Sequence, residues 1–202
     1  MARYDAIRSL GESLLDLMRE ACPMEELQLN AQTPFEMASF NKLTAVHTPP
    51  EGFYLCLWRV GIGAMPRCLP PRQTREGQVY KPSLPIDLYF LLLPVSTDAA
   101  KQACMLGWAL RFMHDLPPLS GEILNRYTKG APVVFRPEES VEIIADPLNT
   151  ADYLGLWDRV KTGFQAGMTY VARMVLIDSI VSEESGRLVT ERQFAVQKPE
   201  PN

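Results

Sequence analysis

Few residues in this chain have the type and spacing that catalysis or cofactor binding requires. The segment GIGAMP, Gly61–Pro66, follows an apolar strand pattern and begins like the glycine fingerprint of dinucleotide-binding proteins. That fingerprint needs a small residue where this chain has Pro66, and a helix whose first turn meets the phosphates, which Pro70 and Pro71 exclude. A glycine turn that ends a strand is the favoured interpretation. A small nucleotide-binding enzyme that uses the Gly61–Gly63 turn remains as the alternative.

The metal-ligating residue types are few and scattered. Of the two histidines, His47 lies in a proline-flanked loop and His114 lies at a helix end, where the helix dipole favours a cation. The four cysteines contain no CxxC pair and are predicted to be reduced thiols: Cys22, Cys56, Cys68 and Cys104. The sequence therefore predicts no metal and no cofactor.

The carboxylates indicate structure rather than catalysis. The pairs Glu25–Glu26, Glu138–Glu139 and Glu183–Glu184 lie in polar, turn-like segments and are predicted to be solvated. Asp87 lies inside a strand, so it needs an arginine, backbone donors or an outward position near the strand start. No catalytic residue is predicted, and the chain is expected not to be an enzyme.

Composition and length limit the possible partners and the location of the protein. The chain has 202 residues and a net charge of −4, without a basic cluster, which argues against nucleic-acid binding. Its longest apolar run is too short to cross a bilayer, and its N-terminus does not resemble a signal peptide. We expect a protein that is cytoplasmic at synthesis and assembly, with one domain over residues 1–197 and a polar tail over 198–202.

The segment from Pro82 to Pro118 has the clearest pattern. Ile86–Leu93 is apolar on both faces, which predicts a central strand covered on two sides. Asp98 can cap the helix that follows. That helix carries Ala99, Ala103, Leu106, Leu110 and Met113 at helical spacing, with Cys104, Trp108 and Phe112 on further faces, and it is predicted to be a core helix.

The remaining elements alternate between helices, strands and loops. The patterns predict a helix over Tyr4–Ala21, a short strand near Leu27–Ala31, a strand over Phe53–Val60, a long loop over Gly61–Pro82, a strand over Glu139–Ile144, a helix over Thr150–Val160 with Tyr153, Leu154 and Trp157 inward, and strands over Met168–Ile177 and Leu188–Val196. Hairpin-paired strands with helices around them predict an α+β fold with a mainly antiparallel sheet flanked by helices.

Three blocks, in order, resemble a known family. They are FYLCLWRV at Phe53–Val60, PSLPIDLYFLLLP with its helix and MHDLPPLS up to Ser120, and YLGLWDRVKTGFQAGMTYVARMVLIDS at Tyr153–Ser179. Together with the first helix they resemble the N-terminal domain family of the cap, or tail-terminator, proteins of phage-like contractile injection systems. In that family the loop after the first of these strands carries an Arg-Asn pair, where this chain has Arg67–Cys68.

The resemblance implies a structural function. Such proteins form a sixfold ring that ends the inner tube and fastens the last layer of the contractile sheath, so the implied partners are further copies of the chain, the tube protein and the sheath protein. The particle would be released or membrane-attached. A phage tail-terminator or baseplate component is the alternative within this class.

Two segments are the candidate contacts in such an assembly. The long loop offers Arg67, Arg72 and Arg75 to the tube. The last strand is the most polar one, which is typical of a sheet edge to which a partner's arm can add as a strand. Its candidate sheath-contact residues are Leu188, Val189, Thr190, Glu191, Arg192, Gln193 and Phe194.

Overall fold

The structure is a computed structural model, and it describes residues 4–43, 49–63, 69–74, 77–127, 133–160 and 165–183. Its helices are α1 (Ala6–Ala21), α2 (Ala99–Asp115), α3 (Gly121–Arg126) and α4 (Thr150–Val160), with a 3-10 helix at Phe40–Leu43. Its strands are β1 (Phe35–Met37), β2 (Gly52–Ile62), β3 (Arg72–Gln73), β4 (Val79–Tyr80), β5 (Leu84–Val95), β6 (Leu119–Ser120), β7 (Ser140–Ala145), β8 (Met168–Ile177) and β9 (Ser182–Glu183).

Six of the strands form one curled sheet in the order β1-β2-β5-β8-β7-β6. All neighbours run antiparallel except β1 and β2, which are parallel. The predicted central strand, β5, lies between β2 and β8, and its residues Ile86, Leu88 and Phe90 to Leu93 are buried. The α+β prediction with a mainly antiparallel sheet is confirmed.

Helices cover the sheet on both faces, which produces two hydrophobic cores. On one face, α1, α2 and α3 pack on the side chains of Phe53, Leu55, Leu88 and Phe90. On the other face, the 3-10 helix and α4 pack on a smaller cluster that contains Tyr54, Cys56, Leu91, Leu93 and Trp157. Burial on both faces explains why β5 has no polar alternation.

The predicted cap of α2 is present. The carboxylate of Asp98 accepts hydrogen bonds from the backbone N–H groups of Ala100 (2.8 Å) and Lys101 (3.2 Å). These two donors have no partner inside the helix, so the cap fixes the point at which the chain turns from β5 into α2.

The prediction that α2 is a core helix is wrong in its choice of face. The buried side chains are Met105, Ala109 and Met113, while Ala103 and Leu110 are exposed. Trp108 and Phe112 are partly buried beside them, with the Trp108 ring 5.2 Å from that of Phe53. Leu154 of α4, predicted to face inward, is likewise 48% exposed. Both helices carry apolar residues on several sides, so spacing alone does not select the buried side.

The prediction of a strand near Leu27–Ala31 is also wrong. This segment is a turn in which Gln28 has a φ of 53° and the N–H of Leu29 donates to the carbonyl of Met24 (2.7 Å). Leu27 and Leu29 are buried, which explains the strand-like alternation. The strand of this region is β1, a few residues later.

Two bulges bend the long strands. In the pairing of β2 with β5, an extra residue, Trp58, lies between Leu57 and Arg59. In the pairing of β5 with β8, the bulge lies near Met174, which has a φ of 61°. Asp87 stabilises the second bulge, because its carboxylate accepts the N–H of Met174 (3.1 Å). The predicted structural role of Asp87 is thus met by a backbone donor.

Replacement of Leu88 by Asp is expected to unfold the protein, because the side chain is 0% exposed and its surroundings are apolar. An unpaired carboxylate there costs several kcal/mol, which is comparable with the roughly 5–15 kcal/mol that stabilises a domain. Leu154→Asp is the matched control, since that side chain is 48% exposed. Circular dichroism during urea unfolding measures both. A folded Leu88→Asp protein with near-normal stability would contradict the core assignment.

Candidate functional site

The structure describes one of the three arginines that the sequence offers as tube contacts. Arg72 lies on β3, whereas Arg67 and Arg75 fall outside the described residues. The whole candidate sheath-contact strand, residues 188–194, also falls outside them, as does His47. The contact roles of all these residues therefore stay predictions.

The described part of the segment between β2 and β5 contains short strands where the sequence predicts a loop. Gly61 and Ile62 belong to β2, and β3 pairs with β4 around Gly77, which has a φ of 82°. β9 adds to β4, which produces a second sheet of three short strands in the order β3-β4-β9. Strands of two residues have no readable periodicity, which is why the sequence indicates only a loop.

Arg72 points into the molecule. Its side chain is 13% exposed, and its Nε lies 3.7 Å from Oδ2 of Asp178, whose side chain is 0% exposed. The guanidinium also lies over the ring of Tyr80, 4.6 Å from the ring centroid. Asp178 in addition accepts hydrogen bonds from Arg136 and from the hydroxyl of Ser83 (2.6 Å). These contacts tie the small sheet to the end of β8.

Glu139 completes the buried cluster. Its carboxylate accepts the backbone N–H of Arg136 (3.0 Å) and lies 3.5 Å from the Arg136 Nε. Burial raises the pKa of Glu139 above its ordinary value, and the nearby Asp178 carboxylate adds to this, while Arg136 opposes both. The prediction that the Glu138–Glu139 pair is solvated is therefore wrong for Glu139, whose side chain is only 12% exposed.

Two arginines and two carboxylates thus face one another with balanced charge: Arg72, Arg136, Glu139 and Asp178. Charges that compensate one another inside the protein are typical of a structural ion network. We interpret the cluster as the anchor that sets the position of the β3–β4 hairpin. The sequence gives no signal for it, because its members are far apart along the chain.

The glycine turn does not have the geometry of a phosphate site. Gly61 is paired with Asp87 inside the sheet, and the N–H of Gly63 donates to the carbonyl of Pro85 (3.0 Å). A phosphate cradle needs free N–H groups at the start of a helix. In the described residues after Gly63, the next helix is α2, beyond the whole of β5.

Cysteine and histidine chemistry is equally limited where the chain is described. Cys22, Cys56 and Cys104 are free thiols, and burial raises the pKa of Cys56 to about 12. His114 is exposed at the end of α2. The described residues contain no group of three or more potential metal ligands.

Two strand edges of the main sheet are unpaired over part of their length, a feature that sequence reasoning missed. β1 pairs with β2 only at Phe53–Leu55, and β6 pairs with β7 only at Ser140 and Val141. Within the described chain, no other strand pairs with these two outer edges. The open part of β2 carries Val60 and Ile62, which are 49% and 74% exposed. Which strand lies at an open edge depends on the order of the strands in the sheet, so no local sequence signal reveals it.

The fold is similar to that of a sheath and tube terminator. It matches the cryo-EM structure of the PVC sheath/tube terminator, an extracellular contractile injection system protein in its extended state, with a TM-score of 0.59 and 12% identity over 96% of this chain. The tube-terminating cap of the anti-feeding prophage aligns with a TM-score of 0.49 and 11% identity over 88% of this chain. The chain spans 64% and 59% of the lengths of these two proteins.

The family is shown by the sequence itself. The model of the Pvc16 N-terminal domain matches residues 9–191, so the chain belongs to that family, as the three sequence blocks predict. No curated protein matches the chain by sequence. In the described part of the chain, none of the helices combines the length and the hydropathy needed to cross a membrane.

Replacement of Asp178 by Ala is expected to lower the free energy of unfolding by about 3–5 kcal/mol, because it leaves Arg72, whose side chain is 13% exposed, without a carboxylate and takes one of two carboxylates from Arg136. Asp115→Ala is the matched control. Asp115 pairs with Arg111 at the surface, where both side chains are more than half exposed, so its loss is expected to change stability by less than about 1 kcal/mol. Urea titration followed by tryptophan fluorescence measures both. Equal losses would mean that the cluster is not an anchor.

Replacement of Glu139 by Gln is expected to change how stability depends on pH. Since the pKa of Glu139 is raised by folding, the ionised carboxylate destabilises the folded state at neutral pH. The cost disappears as the pH falls through the raised pKa toward the ordinary value of 4.5. The stability of Glu139→Gln relative to the unsubstituted protein is therefore expected to be greatest near pH 7 and to shrink toward pH 4.5. A relative stability that grows on acidification would contradict this.

Proposed function

We propose that this chain is a structural terminator of a contractile injection system: a cap that ends the inner tube and anchors the last layer of the sheath. The observation that carries the proposal is the family match over residues 9–191. The terminator-like fold over 96% of the chain supports it. The protein would act as part of an assembled injection particle.

The physical character of the molecule supports a structural function rather than catalysis. Its buried charges are used in an internal ion network, and its glycine turn is used in sheet pairing. What the described surface offers instead is open strand edges with exposed aliphatic side chains. Such surfaces suit subunit contacts.

We place the tube contact on the segment between β2 and β5. The buried anchor of Arg72 leaves Arg67 and Arg75, on either side of it in sequence, as the basic residues to meet the tube. In this division of roles, Arg72 positions the hairpin. In a ring, every subunit contacts the tube end at once, so contacts that are weak one by one give a high overall affinity through effective concentration.

We place the sheath contact on residues 188–194. A strand added by a partner contributes backbone hydrogen bonds worth only about 0.5–1.5 kcal/mol each, so a single copy would bind the sheath weakly. Six copies in a ring would bind a completed sheath end strongly through effective concentration. The ring would therefore bind the completed end of a sheath more tightly than it binds free sheath subunits.

Reversal of charge at Arg67 and Arg75 tests the function. The double variant Arg67→Glu/Arg75→Glu is expected to bind tube ends at least about tenfold more weakly than the unsubstituted chain, with unchanged folding. Arg8→Glu/Arg111→Glu is the matched control, since both side chains are exposed and belong to α1 and α2, outside this segment of the chain. Co-sedimentation with purified tubes, with negative-stain imaging of their ends, gives the measurement. An unsubstituted chain that never binds tube ends would overturn the proposed function.

The sheath arm of the same experiment uses proline. Thr190→Pro or Arg192→Pro removes an N–H donor and blocks strand addition where that N–H faces outward. The expected result is a particle whose tube is capped while its last sheath ring detaches. Normal sheath retention by both variants would remove residues 188–194 as the sheath contact.

A further inference from the structure

The two open edges belong to opposite sides of one sheet. The open stretch of β2 begins at Leu57, and that of β7 runs over Glu142–Ala145. Four strands, β2, β5, β8 and β7, lie between these edges and alternate in direction. A second copy placed beside the first with the same orientation therefore puts its β2 antiparallel to β7 of the first.

The open stretches lie at the same height in the sheet. Val60 is opposite Leu88, Leu88 is opposite Ala172, and Ala172 is opposite Ile143. A second row of opposed residues consists of Leu57, Phe90, Tyr170 and Ala145. The short strands that block the rest of each edge lie at different ends of the sheet: β1 at the start of β2, and β6 at the start of β7. At this register Leu57–Gly61 of one copy face Glu142–Ala145 of the other, with β1 and β6 outside the pairing. The pairing ends after Gly61, where β2 must turn away, because Ile62 would lie opposite Val141, which β6 already pairs.

The backbone groups of these stretches face outward in matching positions. The N–H of Gly63 donates to Pro85 of β5, so alternation along the strand turns the N–H and C=O of Val60 away from β5. The N–H of Asp146 donates to the carbonyl of Thr169 in β8. By the same alternation, the N–H and C=O of Ile143 point away from β8. Two opposite residues of antiparallel strands form a hydrogen-bonded pair when the N–H and C=O of each point toward the other strand. Val60 and Ile143 of two adjacent copies meet this condition.

The side chains on the α1–α3 face are complementary. Val60 is 49% exposed there, at the open edge of β2. Beside the open edge of β7 lies a groove of about 460 Å³, and the aliphatic residues that line it include Leu110, Met113, Leu116 and Ile143. The Val60 side chain from one edge thus meets the aliphatic part of this groove at the other edge, which removes both from water.

The charges on the opposite face are also complementary. Arg59 of β2 is exposed, and its guanidinium lies over the ring of Tyr89, 3.9 Å from the centroid. Across the sheet, Arg59 is opposite Tyr89, Tyr89 is opposite Val171, and Val171 is opposite Ile144. Arg59 therefore lies at the same height in the sheet as Ile144. Glu142, also exposed, is two residues from Ile144 on the same face, at the diagonal position where side chains of adjacent strands interact.

We propose that adjacent copies of this chain join through these edges, with the open edge of β2 in one copy paired antiparallel to the open edge of β7 in the next. This rests on the proposed ring and names the contact that closes it. The two edges differ, so the contact is head-to-tail, which is the type that generates a ring. Each copy then contributes four alternating strands to one continuous sheet that has no free edge at these positions.

A cross-linking experiment tests the pairing. Arg59 of one copy would lie opposite Ile144 of the next, and the backbone groups of both residues point away from the interface. They would form a non-hydrogen-bonded pair with Cα atoms about 4.5 Å apart, which is within disulfide range. Arg59→Cys/Ile144→Cys, in a background with Cys68→Ser and Cys104→Ser, is assembled on purified tube ends and oxidised. The expected result on a non-reducing gel is a ladder of covalent oligomers that stops at the copy number of the ring. Arg59→Cys/Glu26→Cys, with the second thiol in the exposed turn after α1, is the matched control and is expected to give no ladder.

A proline substitution gives an independent readout. Val60→Pro removes an outward N–H and leaves the pairing of β2 with β5 intact, so the chain is expected to stay folded. The concentration needed for half-assembly is expected to rise at least about tenfold, measured by sedimentation velocity with tube ends present. Glu26→Ala is the folded control, for which unchanged assembly is expected because Glu26 is exposed in the turn after α1 and belongs to neither edge strand.

The outcomes separate this inference from the proposed function. Rings on tube ends without a covalent ladder, and with normal assembly of Val60→Pro, would overturn the edge pairing and leave the cap function intact. A covalent ladder in the absence of any tube binding would support the pairing and overturn the cap function. Cross-links from the thiols introduced at positions 59 and 144 to the tube or sheath protein, in place of a second copy, would assign the edges to that partner and overturn the proposal.

Discussion

The structure depends on the need to satisfy every backbone group of β5. This strand is buried on both faces, so water cannot reach its N–H and C=O groups, and each must find a partner inside the sheet. β2 and β8 supply those partners along almost the whole strand. Since both neighbours are long, their curvature must be matched to that of β5. The bulges at Trp58 and near Met174 provide the adjustment.

The bulges also decide which groups the sheet presents at its sides. One extra residue at Trp58 inverts the alternation of β2, so that Val60 rather than Arg59 directs its backbone outward. The same inversion places Arg59 on the face that carries Tyr89 and Val60 on the face that carries the large helices. A local irregularity in the core thus determines the chemistry of the surface.

Much of the fold follows from the sequence, and the reasons for the failures are physical. α4 and β8 have the predicted bounds, because their patterns are strong and their ends carry clear signals. The buried face of α2 does not follow from spacing, because apolar residues occur on several of its sides and only the shape of the sheet selects Met105 and Ala109. The β3–β4 hairpin is invisible in the sequence because two residues are too few to show a period.

The candidate site is less accessible from sequence than the fold. Arg72 is predicted as a contact residue because loops with arginines often bind partners, yet its guanidinium faces Asp178 and Tyr80 inside the protein. The ion network and the open edges both arise from residues that are distant in sequence. Neither has a local pattern, so only the three-dimensional arrangement reveals them.

The order of strands along the chain has a consequence for synthesis. β5 is translated well before its partner β8, and at about 5–20 residues per second a ribosome needs about 4–14 s for the roughly seventy residues between Val95 and Met168. During that interval β5 has β2 on one side and an apolar, unpaired edge on the other, which is the kind of surface that aggregates. The pairing of β5 with β8 also joins residues far apart in sequence, which slows folding. The nascent chain is therefore most vulnerable to misassociation until its last described long strand leaves the ribosome.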